Sequence, residues 1–221
     1  MEIKSSHLEN DSFKVYLEDL CSALEEVSPE YKKWILYNTD ASGEVKETQE
    51  SYCERVFAYE LYHQLRLIME PCRGHVEERY RELILNGEQV KLDNFYKHLF
   101  EGLSKLSEKF KKEGENKIIP DLVLHKNIGT IDKDGQIYLV EIKMGENTNA
   151  LDDLEKLTLL TKSELKFHFY IFVYVDKSMK VLKQMLIDRG VDDLSKDIVC
   201  LCLHDGCAEC NTLGELTSND K

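Results

Sequence analysis

The sequence predicts an α/β domain, and three observations carry that reading. Helical periodicity fills most of the first half of the chain, and from about residue 118 it gives way to strand-like runs separated by further helices. The 221 residues are 42% hydrophobic and 32% charged, which is enough apolar side chain to bury a core and unlike a disordered composition. No internal repeat, low-complexity segment or linker divides the chain, so one domain is the simplest account.

Taken in order, residues 8–28 set Leu8, Phe13, Val15, Leu17, Leu20 and Leu24 among acids in a helix-like pattern. Residues 30–38 read as a short helix carrying the only tryptophan, Trp34. Ala41-Ser42-Gly43 is a loop, and Thr48 with Ser51 offers the start of a longer helix that Pro71 stops. Leu83-Ile84-Leu85 is a short strand ended by the turn signal Asn86-Gly87. Residues 93–113 read as a lysine-rich helix. Two strands follow, over 118–125 and 136–143, joined by a turn at Asp132-Lys133-Asp134-Gly135. A helix over 150–163, a strongly apolar strand over 167–175, a helix over 178–189 and a last strand over 197–203 complete the order. The polar tail from about Gly214 is expected to fray. The chain thus divides into an N-terminal helical extension over 1–48 packed on a core over 49–213, with a flexible tail over 214–221.

Strand geometry isolates one constellation. Residues two apart on a strand share a face, so Glu141 and Lys143 point one way while Val140 and Ile142 point into the opposite layer. On the preceding strand Asp121, Val123 and His125 share a face, and Leu122 and Leu124 take the other. Two acids on adjacent strands, with a lysine beside one of them, can converge on a point. Oxygen ligands favour a hard cation such as Mg²⁺, and Asp121, Glu141 and the backbone carbonyl of Ile142 form the expected ligand set. The metal would lower the pKa of a bound water and neutralise charge developing on phosphate. Lys143 would orient or help deprotonate that water, or stabilise the new negative charge. The bland alternative is a cross-strand salt bridge on an ordinary sheet.

Ile119-Pro120-Asp121, followed about twenty residues later by Glu141-Ile142-Lys143 on the next strand, resembles the PD-(D/E)XK nuclease superfamily. The resemblance covers roughly residues 50–175. It implies a restriction-endonuclease-like core of three layers, with a central mixed sheet flanked by helices and the N-terminal helices added to it. It also implies Mg²⁺-dependent hydrolysis of nucleic-acid phosphodiesters, with DNA the expected partner and Mn²⁺ able to substitute. The superfamily usually adds an acid from the helix before the first strand. In that helix Val56, Phe57, Ala58, Leu61, Leu65, Leu67 and Ile68 form an apolar arc that also holds Glu54 and Glu60. A carboxylate within such an arc needs a partner. Glu60 is preferred over Glu54 because Gln64 lies one turn on beside it. Lys156, on the helix after the core strands, matches a position from which members of the superfamily touch phosphate, although a solvated helix lysine would look the same. His125 shares a face with Asp121 and is a further substrate-side candidate, set behind the reacting groups.

The net charge of −13 runs against a nucleic-acid enzyme, because a broadly acidic surface repels phosphate. A non-catalytic module of the same fold, binding nucleic acid or protein, is therefore the alternative function. Lysines 105, 109, 111, 112 and 117 offer a phosphate-contacting face, but Glu108, Glu113 and Glu115 interleave them. Seven cysteines make an odd count, and Cys21, Cys53 and Cys72 are scattered in a way that suits reduced thiols. Cys200, Cys202, Cys207 and Cys210 are candidate ligands for a structural Zn²⁺, against the reading that Cys200 and Cys202 are small apolar core residues. No apolar run approaches the roughly 20 residues that span a bilayer, so no membrane association is expected and the expected address is cytoplasmic. Cutting both strands of a duplex at once would need two copies, which makes a homodimer a candidate assembly.

Overall fold

A computed structural model describes residues 12–39, 42, 44–87, 120–126, 136–145, 149–162, 166–190 and 193–218. The lysine-rich helix expected over 93–113 and the turn expected at 132–135 lie outside these residues.

The chain opens with α1 (Lys14–Glu26). Leu17, Leu20, Cys21 and Leu24 recur at helical spacing and are fully buried. Pro29 heads a single 3₁₀ turn over Pro29–Tyr31, and β1 (Trp34–Thr39) begins where a helix over 30–38 is expected. The reason lies in composition. Trp34, Ile35, Tyr37 and Thr39 are aromatic or β-branched and favour extended backbone. β1 pairs antiparallel with β2 (Val45–Ser51), Trp34 opposite Ser51. That hairpin occupies Thr48 and Ser51, so α2 starts later, at Glu54, and runs to Met69. It ends against Pro71, as expected.

Among the described residues the main sheet has six strands in the order β3 (Leu83–Gly87), β4 (Leu122–Lys126), β5 (Gln136–Met144), β6 (Phe169–Val175), β7 (Val199–His204) and β8 (Cys207–Thr212). β5, β6 and β7 are parallel, while β3, β4 and β8 run antiparallel to their neighbours. The parallel steps are bridged by α3 (Ala150–Thr161) and α4 (Met179–Arg189), as a parallel connection requires. β6 is buried along its whole length, which is why it reads as an unbroken apolar run, Phe169-Tyr170-Ile171-Phe172-Val173-Tyr174-Val175.

Each face of the sheet carries its own apolar layer. Leu122, Leu124, Val140, Ile142, Ile171, Val173 and Leu201 pack with α1 and α2 on one side. Val123, Leu139, Tyr170, Phe172, Cys200 and Cys202 pack with α3 and α4 on the other. The expected mixed sheet flanked by helices is thus present, as an α/β arrangement of three layers.

The end of the chain departs from expectation. Asp205 and Gly206 both adopt positive φ (51° and 78°), forming a two-residue turn that closes between His204 and Cys207 and starts β8. Helix α5 (Leu213–Thr217) follows, where a frayed tail is expected. A capping box fixes its start: Thr212 accepts from the Glu215 amide while the Glu215 carboxylate accepts from the Thr212 amide. Leu213 and Leu216 are buried against the α3–α4 face.

Candidate active site

β5 carries Glu141 and Lys143 on the face shared with Leu139, towards α3. Asp121 enters from the residue just before β4. Its amide donates to the Val140 carbonyl (3.0 Å), although Leu122 is the registered partner of Val140. Two successive residues of one strand therefore address one residue of the other, as in a β-bulge. The Asp121 side chain then takes the next ladder position: Oδ2 accepts from the Ile142 amide at 2.7 Å. This bond fixes one carboxylate beside the strand position that follows Glu141. The N–H and C=O of a strand residue point the same way, so the Ile142 carbonyl is also directed to the Asp121 side.

Two helix starts close on the same end of β5. Gly145 has φ +65°, and a Cβ there would come 2.7 Å from the Tyr52 ring. The absence of a side chain lets Tyr52 lie against the strand end, and two residues later the chain enters α2 at Glu54. Glu54 Oε2 lies 3.3 Å from Lys143 Nζ, and Oε1 lies 3.4 Å from the Met144 amide. From the other side α3 presents Asp153, 4% exposed, in its first turn. Asp153 Oδ2 pairs with Lys143 Nζ at 2.9 Å, an ion pair off the hydrogen-bond angle, and Oδ1 accepts from Lys156 Nζ at 2.6 Å.

Glu141 is the uncompensated member. It is 6% exposed, and its Oε1 is buried without a hydrogen-bond partner. Burial raises its pKa well above the carboxylate range, with Asp121 and then Asp153 adding to the rise and Lys156 and Lys143 opposing it. Lys143 and Lys156 move the other way from what burial alone would do. Burial, the largest single influence, lowers each pKa, but the carboxylates together outweigh it: Asp153 with Glu54 at Lys143, and Asp153 with Glu141 at Lys156. Both remain ammonium groups. Among the described residues, four carboxylates (Asp121, Glu141, Glu54 and Asp153) thus lie around two ammonium groups, Lys143 and Lys156.

The structure therefore brings Asp121, Glu141, Lys143, Glu54 and Lys156 to one place. Asp153 joins them without having been singled out from the sequence, although it sits on the helix face of Ala150, Leu154 and Leu157, where an acid calls for a partner. Glu60, the preferred helix acid, is elsewhere: its Oε1 accepts from Gln64 Nε2 at 2.6 Å. Six residues along a helix are about 9 Å, and it is Glu54, at the first turn of α2, that reaches the end of β5. His125 lies at the far end of β4 from Asp121, about 13 Å along the strand. Its Nε2 meets Asn86 Nδ2 and its Nδ1 the Lys126 carbonyl, both at 2.8 Å.

The four C-terminal cysteines do not gather. Cys200 and Cys202 point to the α3–α4 side, Cys210 points to the α1–α2 side, and Cys207 is exposed. Cys207 and Cys210 are three apart on a strand, so they lie on opposite faces, which rules out a four-thiol zinc site. Burial also pushes the Cys210 thiol up to about 12. Among the described residues, no group of three or more His, Cys, Asp and Glu side chains is gathered closely enough to hold a metal by itself. The oxygen set on β4 and β5 consists of two carboxylates and a backbone carbonyl. Among the described residues no helix is long and apolar enough to cross a membrane.

No protein-family model, curated protein or solved structure matches this chain.

Proposed function

We propose that this chain is a metal-dependent nuclease of the PD-(D/E)XK type, with a restriction-endonuclease-like core, that hydrolyses phosphodiester bonds in nucleic acid, DNA first among the candidates. The observation that carries the reading is the meeting of Asp121, Glu141 and Lys143 with Glu54 at the end of β5. Among the described residues the order α2, β3, β4, β5, α3, β6 supports it, since it follows the helix–strand–strand–strand–helix–strand order of that superfamily.

The residues fit a hard divalent cation. Glu141 has a buried oxygen without a hydrogen-bond partner, and the candidate ligands beside it, the Asp121 carboxylate and the Ile142 carbonyl, are oxygens of the kind that suit Mg²⁺ or Mn²⁺. Asp121, Glu141 and the Ile142 carbonyl would hold the ion, which when bound supplies Lewis acidity and a more acidic water. Lys143, held as an ammonium by Asp153 and Glu54, donates hydrogen bonds towards the reacting phosphate and stabilises its negative charge. In that state it has no lone pair, so its role is electrostatic and orienting, not that of a base. Glu54 sets the direction of that ammonium from the α2 side.

Purified protein should nick or degrade DNA with Mg²⁺ or Mn²⁺, and Lys143→Ala should abolish it. Cleavage that persists in the variant would trace to a contaminant and defeat the assignment. The second reading, an inactive module of the same fold binding nucleic acid or protein, is favoured by the net charge of −13. Mn²⁺ titration separates the two, since stoichiometric binding lost in Asp121→Asn supports the enzyme and absent binding supports the module.

A further inference from the structure

Asp153 is the one buried acid of the cluster that the nuclease reading does not require. It stands on α3, not on the two strands that carry the metal set, and it is nearly inaccessible. Its two oxygens are divided between two lysines from different elements. Oδ2 holds Lys143 of β5 at 2.9 Å and Oδ1 holds Lys156 of its own helix at 2.6 Å. A solvated lysine spreads over many rotamers, and fixing one costs side-chain entropy. A carboxylate already buried between two ammonium groups meets that cost during folding, before substrate arrives.

The geometry differs from an ordinary helix pair in two ways. An i,i+3 Asp–Lys contact on a helix surface needs no burial and involves no third group. Here the Asp side chain is 5% exposed, and the third group is the lysine of the Glu-X-Lys strand. Lys143 is also held from the other side by Glu54 at 3.3 Å, so its ammonium is set between α2 and α3. Lys156 is drawn inward, close enough to Glu141 for the two charges to act on each other.

We propose that Asp153 is a positioning residue for a two-lysine anion site: one carboxylate aims Lys143 and Lys156 together, so that an incoming phosphodiester meets two fixed ammonium groups. The inference rests on the nuclease reading. It assigns Lys143 to the reacting phosphate and Lys156 to binding the substrate backbone. Asp153 itself touches neither substrate nor metal.

The test uses the full chain as wild type, Asp153→Ala, Asp153→Glu and Lys156→Ala, with steady-state DNA cleavage in Mn²⁺ and ¹⁵N spectra of the lysine ammonium groups. Asp153→Ala should lower kcat about 10²-fold, the cost of a misplaced group, while Mn²⁺ affinity stays within about threefold. Lys156→Ala should act mainly on KM, and Asp153→Glu should recover at least about tenfold in kcat over Asp153→Ala. Wild type should show two slowly exchanging ammonium resonances that both vanish in Asp153→Ala. Wild-type kcat in Asp153→Ala, or a loss matched by failing Mn²⁺ binding and not eased by Asp153→Glu, would overturn the proposal. If wild type cleaves no DNA, the nuclease reading falls, and the resonances still decide the clamp. Their joint loss in Asp153→Ala sustains it, and their persistence ends it.

Discussion

The Ile142 amide donates to Asp121 Oδ2 at 2.7 Å, so a side chain replaces the backbone ladder where β4 stops and β5 continues. The substitution ties the position of an acid on one strand to the backbone of the next. It also separates two jobs that one carboxylate performs, holding the sheet end and offering negative charge.

Asp121→Asn separates those jobs experimentally. The amide oxygen can still accept from Ile142, so unfolding should remain cooperative with a midpoint close to wild type. The charge is gone, so DNA cleavage should drop on the order of 10²- to 10³-fold. Parallel melting and cleavage assays read both effects, and a large loss of stability would show that the charge itself holds the sheet end.

Under the proposed nuclease reading, Glu141 illustrates the cost of holding a site ready for a cation. A buried carboxylate with an orphaned oxygen weakens the metal-free fold. Glu141→Gln should raise the stability of metal-free protein by about 1–2 kcal/mol in urea unfolding. Under the same reading, Mn²⁺ should stabilise wild type and fail to stabilise Glu141→Gln. A destabilised, metal-responsive variant would contradict both halves.

His125 gives a pH dependence of defined sign. Its pKa is lowered, by burial first, with the bond to the Lys126 carbonyl opposing. As pH falls through the ordinary value near 6.5, the unfolded chain takes up a proton that the folded chain refuses. Stability is therefore lost on acidification, by at most about 1.4 kcal/mol per pH unit for this one group. His125→Gln should lose less than wild type between pH 7.5 and 5.5 in urea titrations, and identical pH slopes would refute the assignment.

Gly145 meets two independent objections to a side chain, a φ of +65° and the Tyr52 ring. Gly145→Ala should destabilise by about 2 kcal/mol or more. Tyr52→Ala in the same chain should return part of that loss by removing the clash, leaving the backbone cost. A double-mutant cycle measures the coupling, and strict additivity would mean that ring and glycine do not meet.

The thiols should react in classes. Cys72 and Cys207 are exposed and should be modified promptly under native conditions, Cys53 more slowly. Cys21, Cys200, Cys202 and Cys210 should resist until the protein unfolds. The purified protein should carry no zinc on these cysteines. Rapid labelling of Cys200 or Cys202 would contradict their burial.

How much of this was legible in the chain depends on the range of the interaction involved. Glu141 and Lys143 are readable because strand alternation is local, and Val123 and Leu122 do divide between the two faces as their spacing demands, whereas Asp121 precedes β4 and is placed by its bond to the Ile142 amide. The apolar arc of α2 admits Glu54 and Glu60 alike, because periodicity gives direction around a helix and not which turn meets the sheet. Only the tertiary approach of α2 to β5 selects Glu54. Asp153 carried a usable signal, since the arc argument applied to α2 applies equally to α3. The last hairpin also had local marks, Asp205-Gly206 and the Thr212–Glu215 pair, which outweigh the polarity that suggests a tail. The segment over 30–38 was ambiguous in kind, for a short apolar run suits helix or strand until its pairing partner is known.

β5 is the seam between the antiparallel and parallel parts of the sheet, and the site is assembled across it. Glu54 and Lys143 are 89 positions apart, Asp121 arrives on the antiparallel side, and Asp153 is not translated until after both strands. Contacts of such separation form late, because loop closure must precede them. A chain emerging from the ribosome therefore holds only fragments of this centre. The acidic groups and the lysines that face them cannot all meet until Asp153 has been synthesised, so the cluster belongs to the assembled sheet and to no single stretch of chain.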